Sequence, residues 1–289
     1  MVFSDLFFIF AFIPSFALLY LIASLIDRKA NVSTITPYNL TKNWVLVMFS
    51  LLFYAWGEPV YVFLMLFSVL VNYIAGRIID RTTNQRRLAL TIGLVCNILI
   101  LGVFKYLGFF ASILSDIGIS ISLPTLALPI GISFYTFQSV SYLIDVYRRE
   151  SPAQRRYADL LLYISMFPQL IAGPIVRYDT VAREITDRHV SADDIADGVF
   201  RFFVGLGKKV IIANQMSEIA DQFLVGGIAN LSTTGAWIGI LAFSLQIYFD
   251  FSGYSDMAIG MGRCLGFHFN ENFNHPYISR SITEFWRRW

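Results

Sequence analysis

Residues 237–265 read WIGILAFSLQIYFDFSGYSDMAIGMGRCL, and the fold turns on the two carboxylates inside this run. The run is long enough to cross the hydrocarbon core of a bilayer, which takes about 20 residues. A carboxylate at membrane depth is costly and by default marks function. Gln246, Asp250 and Tyr254 are spaced i, i+4, i+8, so a helix puts them on one face. Tyr248, Ser252 and Asp256 form a second polar face. Polar groups spread this broadly cannot face lipid. They must look into protein or a water-filled cavity. Two roles stay open for Asp250 and Asp256: ion-pair or capping partners that hold the fold, or walls of a substrate cavity. Gly253 lets the helix bend or another backbone approach.

The rest of the chain agrees with a lipid solvent. Of its 289 residues 56% are hydrophobic and only 15% charged, with mean hydropathy +0.60. Soluble domains carry roughly 25% charged residues, and a sphere of this size could not hide so much apolar surface from water. A soluble enzyme, a disordered chain and a nucleic-acid-binding module are excluded. The net charge of +2 singles out no polyionic partner. Cys96 and Cys264 lie far apart in apolar runs, with neither disulfide nor zinc spacing.

Working back to the N-terminus, Leu6–Ile26 is an apolar run of 21 residues, preceded by Asp5 and followed by Arg28 and Lys29. These charges are wrong for a signal peptide. They predict an uncleaved span with its N-terminus outside, kinked at Pro14. Trp44–Trp56 and Val60–Ile79, split by Gly57-Glu58-Pro59, read as a hairpin opening to the cytoplasm through Arg77, Arg81, Arg86 and Arg87. Leu88–Phe110 is the next span, with Lys105 and Tyr106 near its far interface. Asp116–Leu128 is a mixed loop, and Pro129–Val146 returns to Arg148 and Arg149. Its Gln138 is either glue between helices or cavity lining. Tyr157–Val176 is broken by Pro168 and Gly173-Pro174, so short or re-entrant helices are expected there, buried in protein. Gln169 and Arg177 flank the irregular backbone and could meet an anionic or carbonyl-bearing group.

Arg177–Ile195 is the one strongly polar stretch, and Ser191 with Asp194 resembles a helix start. Val199–Ile212, carrying Arg201, Lys208 and Lys209, is expected as a basic interfacial helix. Its Gly205-Leu-Gly207-Lys208-Lys209 lacks the first glycine and the Ser or Thr of a phosphate loop. His268 and His275 lack metal-ligand spacing, and no nucleophile elbow is present. The residues alone thus predict an all-α polytopic membrane protein, a single domain over 1–289 with broken helices and a polar interior. They fit a transporter or flippase as well as an acyltransferase. A scaffold for a soluble transferase would not need the polar load.

Several long strings resemble the membrane-bound O-acyltransferases: Phe53-Tyr-Ala-Trp56-Gly, Pro129-Ile-Gly-Ile-Ser-Phe-Tyr-Thr-Phe-Gln138, Tyr142-Leu-Ile-Asp145-Val-Tyr147-Arg148, Pro168-Gln-Leu-Ile-Ala-Gly-Pro-Ile-Val-Arg177, Tyr248-Phe-Asp-Phe-Ser-Gly-Tyr-Ser-Asp256 and Phe285-Trp-Arg-Arg-Trp289. The resemblance runs the length of the chain and is nearest to the bacterial branch that serves polysaccharide O-acetylation. It implies helices around a central funnel in the bacterial inner membrane. It also implies an acyl group taken from a cytoplasmic thioester, acetyl-CoA in this branch. The acceptor would be an extracytoplasmic polysaccharide, alginate-like or peptidoglycan-like, reached with a periplasmic or extracellular acyltransferase partner. Membrane lipid is the other expected partner. No metal and no nucleic acid is implied.

The family pattern continues after Phe285-Trp-Arg-Arg-Trp289 with a histidine, further spans and a second histidine taken as catalytic. His189, His268 and His275 match neither position. The resemblance therefore places the family histidines beyond Trp289, with no catalytic residue in this chain. It implies the N-terminal part of a longer enzyme, inactive alone. The residues expected to line the cavity are Gln138, Gln169, Arg177, Tyr248, Asp250, Tyr254 and Asp256, with Trp286 and Arg287 leading toward the absent histidine.

Overall fold

A computed structural model describes residues 2–31, 39–117, 127–170, 173, 176–225 and 231–289. All regular structure among them is helical. Among the described residues, four helices are long and apolar enough to cross a membrane: Phe8–Lys29, Tyr61–Arg81, Arg86–Asp116 and Thr233–Cys264. The chain is an all-α membrane protein. Its contacts divide it into two compact units, one of residues 16–170 and 176–187 and the other of residues 2–15 and 188–289.

The first unit holds most of α1 (Ile13–Asn31), then α2 (Leu40–Gly57), α3 (Tyr61–Arg81), α4 (Arg86–Asp116), α5 (Ile132–Arg148), α6 (Tyr157–Ser165) and α7 (Tyr178–Thr186). The α2–α3 hairpin turns at Gly57-Glu58-Pro59, because glycine and proline there stop one helix and start the next. Asp27 on α1 accepts hydrogen bonds from the backbone N–H of Thr41 and Lys42, both at 2.9 Å. A carboxylate from a neighbouring helix thereby satisfies first-turn donors of α2. Helices α3, α4 and α5 pack on one another. Between the first two, Asn72 and Asn97 exchange amide hydrogen bonds at 3.2 and 2.8 Å.

Helix α6 is nine residues long, and its Leu160–Ser165 stretch is buried throughout. The turn after it, Met166–Leu170, is buried as well. Broken backbone at this depth therefore sits inside protein, as expected from Pro168. The expected break at Gly173-Pro174 falls largely outside the described residues, as does most of the loop 116–128. The polar stretch after Arg177 conceals a helix. Tyr178, Val181 and Ile185 form the buried stripe of α7. Asn39 and Asn43 donate to the carbonyls of Thr186 and Ile185 at its end.

The second unit begins with a widened π-helical turn, Phe8–Phe12, in which the N–H of Ile13 reaches back to the carbonyl of Phe8. Pro14 follows at once. Proline removes an N–H and crowds the carbonyl four residues back, and the wider turn accommodates it. Helix α8 (Ala192–Gly207) starts at Ser191, whose hydroxyl accepts from the N–H of Asp194 while Asp194 accepts from the N–H of Ser191. A π-helical turn, Lys208–Ala213, joins α8 to α9 (Asn214–Leu224). The long α10 (Thr233–Cys264) packs against α8, the π turn and α9, and α11 (Ile282–Arg288) closes the described chain.

Candidate functional site

The site is built on the crossing of α8 and α10. Gly198 and Gly205 lie seven residues apart on α8, and Gly253 and Gly260 seven apart on α10. A Cβ on Gly205 would sit 2.5 Å from the Gly253 carbonyl oxygen, and one on Gly198 would sit 2.6 Å from that of Gly260. The helices run antiparallel, and glycine at both contacts lets their backbones touch. This close approach brings the residues between the contacts together.

Arg201 donates to Asp256 Oδ1 through Nε at 3.1 Å and Nη2 at 2.9 Å. The other carboxylate oxygen, Oδ2, takes Lys208 Nζ at 2.5 Å. Arg201 also donates Nη1 to Glu271 Oε1 at 2.5 Å and forms an ion pair with Glu271 through Nη2. Lys209 pairs with Asp250. The π turn begins at Lys208, and it lets consecutive lysines both reach acids of α10. Arg201, Lys208 and Lys209 thus turn toward the acids of α10. These pairs are partly shielded from solvent, with Asp256 14% exposed, and shielding strengthens the attraction within each pair.

A cavity of about 200 Å³ opens beside this network. Its charged wall is Arg201, Lys208, Asp256 and Glu271, with Tyr248, Phe273 and His275 around it. Ser252 and Ser255 complete it, each only 3% exposed. Neither serine hydroxyl has a hydrogen-bond partner among the described residues. Buried hydroxyls without partners are uncommon, and here they border space for a small polar group. The wall's two cations and two anions balance in formal charge, so the cavity offers hydrogen bonds without a net charge. Tyr248 belongs to an aromatic cluster with Phe273, Tyr277 and Trp289, at centroid distances of 6.0, 5.3 and 6.5 Å. Burial, and then the neighbouring Tyr248, pushes the Tyr277 phenol above its ordinary range. Its hydroxyl donates to the Ser244 carbonyl at 2.6 Å.

Of the nine expected lining residues, the second unit holds Tyr248, Asp250, Tyr254, Asp256, Trp286 and Arg287. Tyr248 and Asp256 border the cavity, and Asp250 is ion-paired beside it. Tyr254 stacks on Phe3 at 4.4 Å. Trp286 is 67% exposed, and Arg287 on α11 is exposed too. The first unit holds Gln138, Gln169 and Arg177. Gln138 is buried on α5, and Gln169 donates its amide to the Tyr163 carbonyl; the side-chain oxygens of both are buried without a partner among the described residues. Arg177 is an exposed residue that starts α7. Sequence reading put Ser252 on a polar face but missed Arg201, Lys208, Ser255, Glu271, Phe273 and His275 as cavity residues. The seven-residue spacing of Arg201 and Lys208, one helix face, was the available signal.

These features define an α-helical membrane protein with an ion-paired polar cavity at a glycine-lined helix crossing. The model of the membrane-bound O-acyltransferase family matches residues 148–289, which include the whole crossing. The chain belongs to this family. It is 42% identical over 297 residues to the probable alginate O-acetylase AlgI of Pseudomonas aeruginosa, covering 100% of this chain and 54% of that protein. It is 36% identical over 312 residues to the peptidoglycan O-acetyltransferase of Helicobacter pylori, covering 98% of this chain and 57% of that protein. The teichoic acid D-alanyltransferase of Bacillus subtilis is 30% identical over 167 residues, 55% of this chain and 41% of that protein. The chain spans about half the length of the curated relatives it matches.

Proposed function

We propose that the chain works in membrane-bound O-acyl transfer, moving acetyl groups from a cytoplasmic thioester onto hydroxyls of an extracytoplasmic polysaccharide. The observation that carries this reading is likeness along the whole chain to proteins named as O-acetylating enzymes, at 36–42% identity. The likeness to D-alanyltransferases spans only 55% of the chain, which favours acetyl over D-alanyl. Acetyl-CoA is the proposed donor. The C–S bond of the thioester breaks, a C–O ester bond forms, and the hydroxyl proton passes to the leaving thiolate or to water. In this scheme Arg201, Lys208 and Asp256 hold the cavity open and polar, while Ser252 and Ser255 offer hydroxyls to a group entering it.

The inner membrane is the proposed location, with the N-terminus outside and a periplasmic acyltransferase partner handing the group to an alginate-like or peptidoglycan-like acceptor. The arginines at the ends of α3 and α5 and the start of α4 support that orientation. The test is deletion of the gene, followed by measurement of ester-linked acetyl on the cell's polysaccharides and of label lost from acetyl-CoA in membranes. Loss of both, restored by the intact gene, is expected. Normal O-acetylation with impaired movement of a glycan across the membrane would replace this reading with that of a transporter.

A further inference from the structure

Where α3 and α5 end and α4 begins, three arginines border a cavity of about 510 Å³. Arg81 is the last residue of α3, Arg86 the first of α4, and Arg149 follows the last residue of α5. Among the described residues no carboxylate comes within 4 Å of any of the three guanidinium groups. Asp80 also borders the cavity but is exposed and pairs with none of them. The wall therefore holds three cations against one anion.

Independent features point to an oxygen-rich anion. Ser151 borders the cavity and is 5% exposed, which puts a hydroxyl in its wall. Arg86 donates Nη2 to the Tyr147 carbonyl at 2.6 Å and lies over the Tyr147 ring at 5.3 Å. That fixes its guanidinium, while its Nε is buried without an acceptor. A buried donor left unpaired costs about 1–3 kcal/mol. Helix α4 starts at Gln85 without a side-chain cap or an acid in its first turn. Its first two residues are Arg86 and Arg87 instead. Cations at the positive end of a helix dipole are unfavourable, and an anion there offsets them.

We propose that this cavity binds a phosphate group through Arg81, Arg86 and Arg149, with Ser151 as a hydroxyl donor. The guanidinium fork matches phosphate oxygens, and basic pockets at the ends of membrane helices suit phosphate-bearing headgroups. The same chemistry serves an anionic phospholipid or a soluble phosphate.

The experiment uses the intact chain in a neutral detergent. Its thermal unfolding is followed on titration with phosphatidylglycerol, with phosphatidylcholine, and with inorganic phosphate against chloride at equal ionic strength. Phosphatidylglycerol should raise the unfolding temperature where phosphatidylcholine does not, with Arg86→Gln weakening its binding about tenfold, the loss of one charge-assisted pair. Stabilisation by inorganic phosphate alone assigns the site to a soluble ligand, provided that Arg86→Gln abolishes it. Arg149→Gly keeps the test open if Arg86→Gln fails to fold. Arg149 has φ 63, a conformation glycine adopts freely, so this variant should fold at least as well and still lose the response. Equal responses to both lipids with none to phosphate overturn the proposal. So does a response that survives in Arg149→Gly, or one lost equally in Arg28→Gln/Lys29→Gln, outside the cavity.

Discussion

Arg201 holds Asp256 by a single carboxylate oxygen, Oδ1, and leaves Oδ2 to Lys208. Both ends of Arg201 are used, because Glu271 takes Nη1. A lysine at 201 has one nitrogen and cannot bridge two carboxylates in this way. Breaking a buried pair by removing one partner costs about 3–5 kcal/mol. Here Arg201 is 28% and Lys208 30% exposed, so Asp256→Asn should cost less, about 2–3 kcal/mol. The double change Arg201→Met/Asp256→Leu removes both charges but leaves Lys208 and Glu271 without these partners, so it should regain only part of that stability. In the full-length protein it should still lack acyl transfer. Unfolding curves in detergent and polysaccharide acetyl content measure the two effects separately. Full acetylation by the double variant would reduce this ion pair to a fastener.

The glycine contacts between α8 and α10 should be intolerant of a single methyl group. A Cβ at Gly260 would lie 2.5 Å from the Gly198 carbonyl oxygen and 2.8 Å from the N–H nitrogen of Phe202. Both are backbone atoms and cannot swing away. Alanine gains about 1 kcal/mol of helix propensity over glycine, but overpacking costs about 1–3 kcal/mol or more when backbone must shift. Gly260→Ala should therefore be destabilised, with the cavity residues displaced. Gly102 and Gly108 on α4 have nothing within 4 Å of an added Cβ. Alanine at either should be neutral or stabilising. Comparing melting temperatures of the three variants tests the contact itself, and equal effects at all three sites would refute it.

Asn72 and Asn97 are 0% and 1% exposed and serve as each other's donor and acceptor between α3 and α4. Each also donates to its own helix, to the carbonyls of Ser68 and Gly93 at 2.8 Å. Cross-helix hydrogen bonds in membranes contribute about 0.6 kcal/mol on average and up to about 1.7. Asn97→Leu strands an amide and should cost about 1–2 kcal/mol. Asn72→Leu/Asn97→Leu should cost less than the two single changes added. A double-mutant cycle of unfolding free energies that closes at zero would show that the pair is not coupled.

Legibility followed the range of the interaction. The α2–α3 turn was readable at Gly57-Glu58-Pro59, the break after α6 at Pro168 and the start of α8 at Ser191, because each rests on neighbours within four residues. Asp250 and Asp256 stood out because an acid in an apolar run violates a solvation rule wherever its partner lies. The partners themselves did not stand out. Arg201 and Lys208 are 55 and 48 residues away from Asp256, and by composition they pass for the basic flank of an interfacial helix. What distinguishes them is the matched glycine spacing on two helices, which acquires meaning only when the helices cross. Asn72 and Asn97 gave no local signal. Helix α7 was masked by its charges, since three buried residues suffice to dock nine.

The start of α8 should respond to acid. The Ser191 hydroxyl, then its backbone N–H and Arg263, hold the Asp194 carboxyl below its ordinary value of 3.8. Asp194 accepts from the Ser191 hydroxyl at 2.6 Å and N–H at 3.1 Å, and from Arg263 Nε at 3.3 Å. A depressed folded-state value means that the native form releases its proton more readily than the unfolded chain. The contribution is therefore full above pH 3.8 and is lost as pH falls through the lower folded value. Arg263 also pairs with Asp197 at 2.9 Å, so protonation loosens the end of α10 from α8 as well as uncapping α8. Asp194→Asn should be less stable than the wild type at neutral pH, and the gap should close as the solution is acidified below the ordinary aspartate range. Added salt should narrow the gap at neutral pH, because the Arg263 contact is partly exposed and screened. Melting temperatures of the two proteins from pH 7 to about pH 1.5, through and below the lowered carboxyl value, decide this. A gap that stays constant across the range would mean that Asp194 acts through its shape rather than its charge.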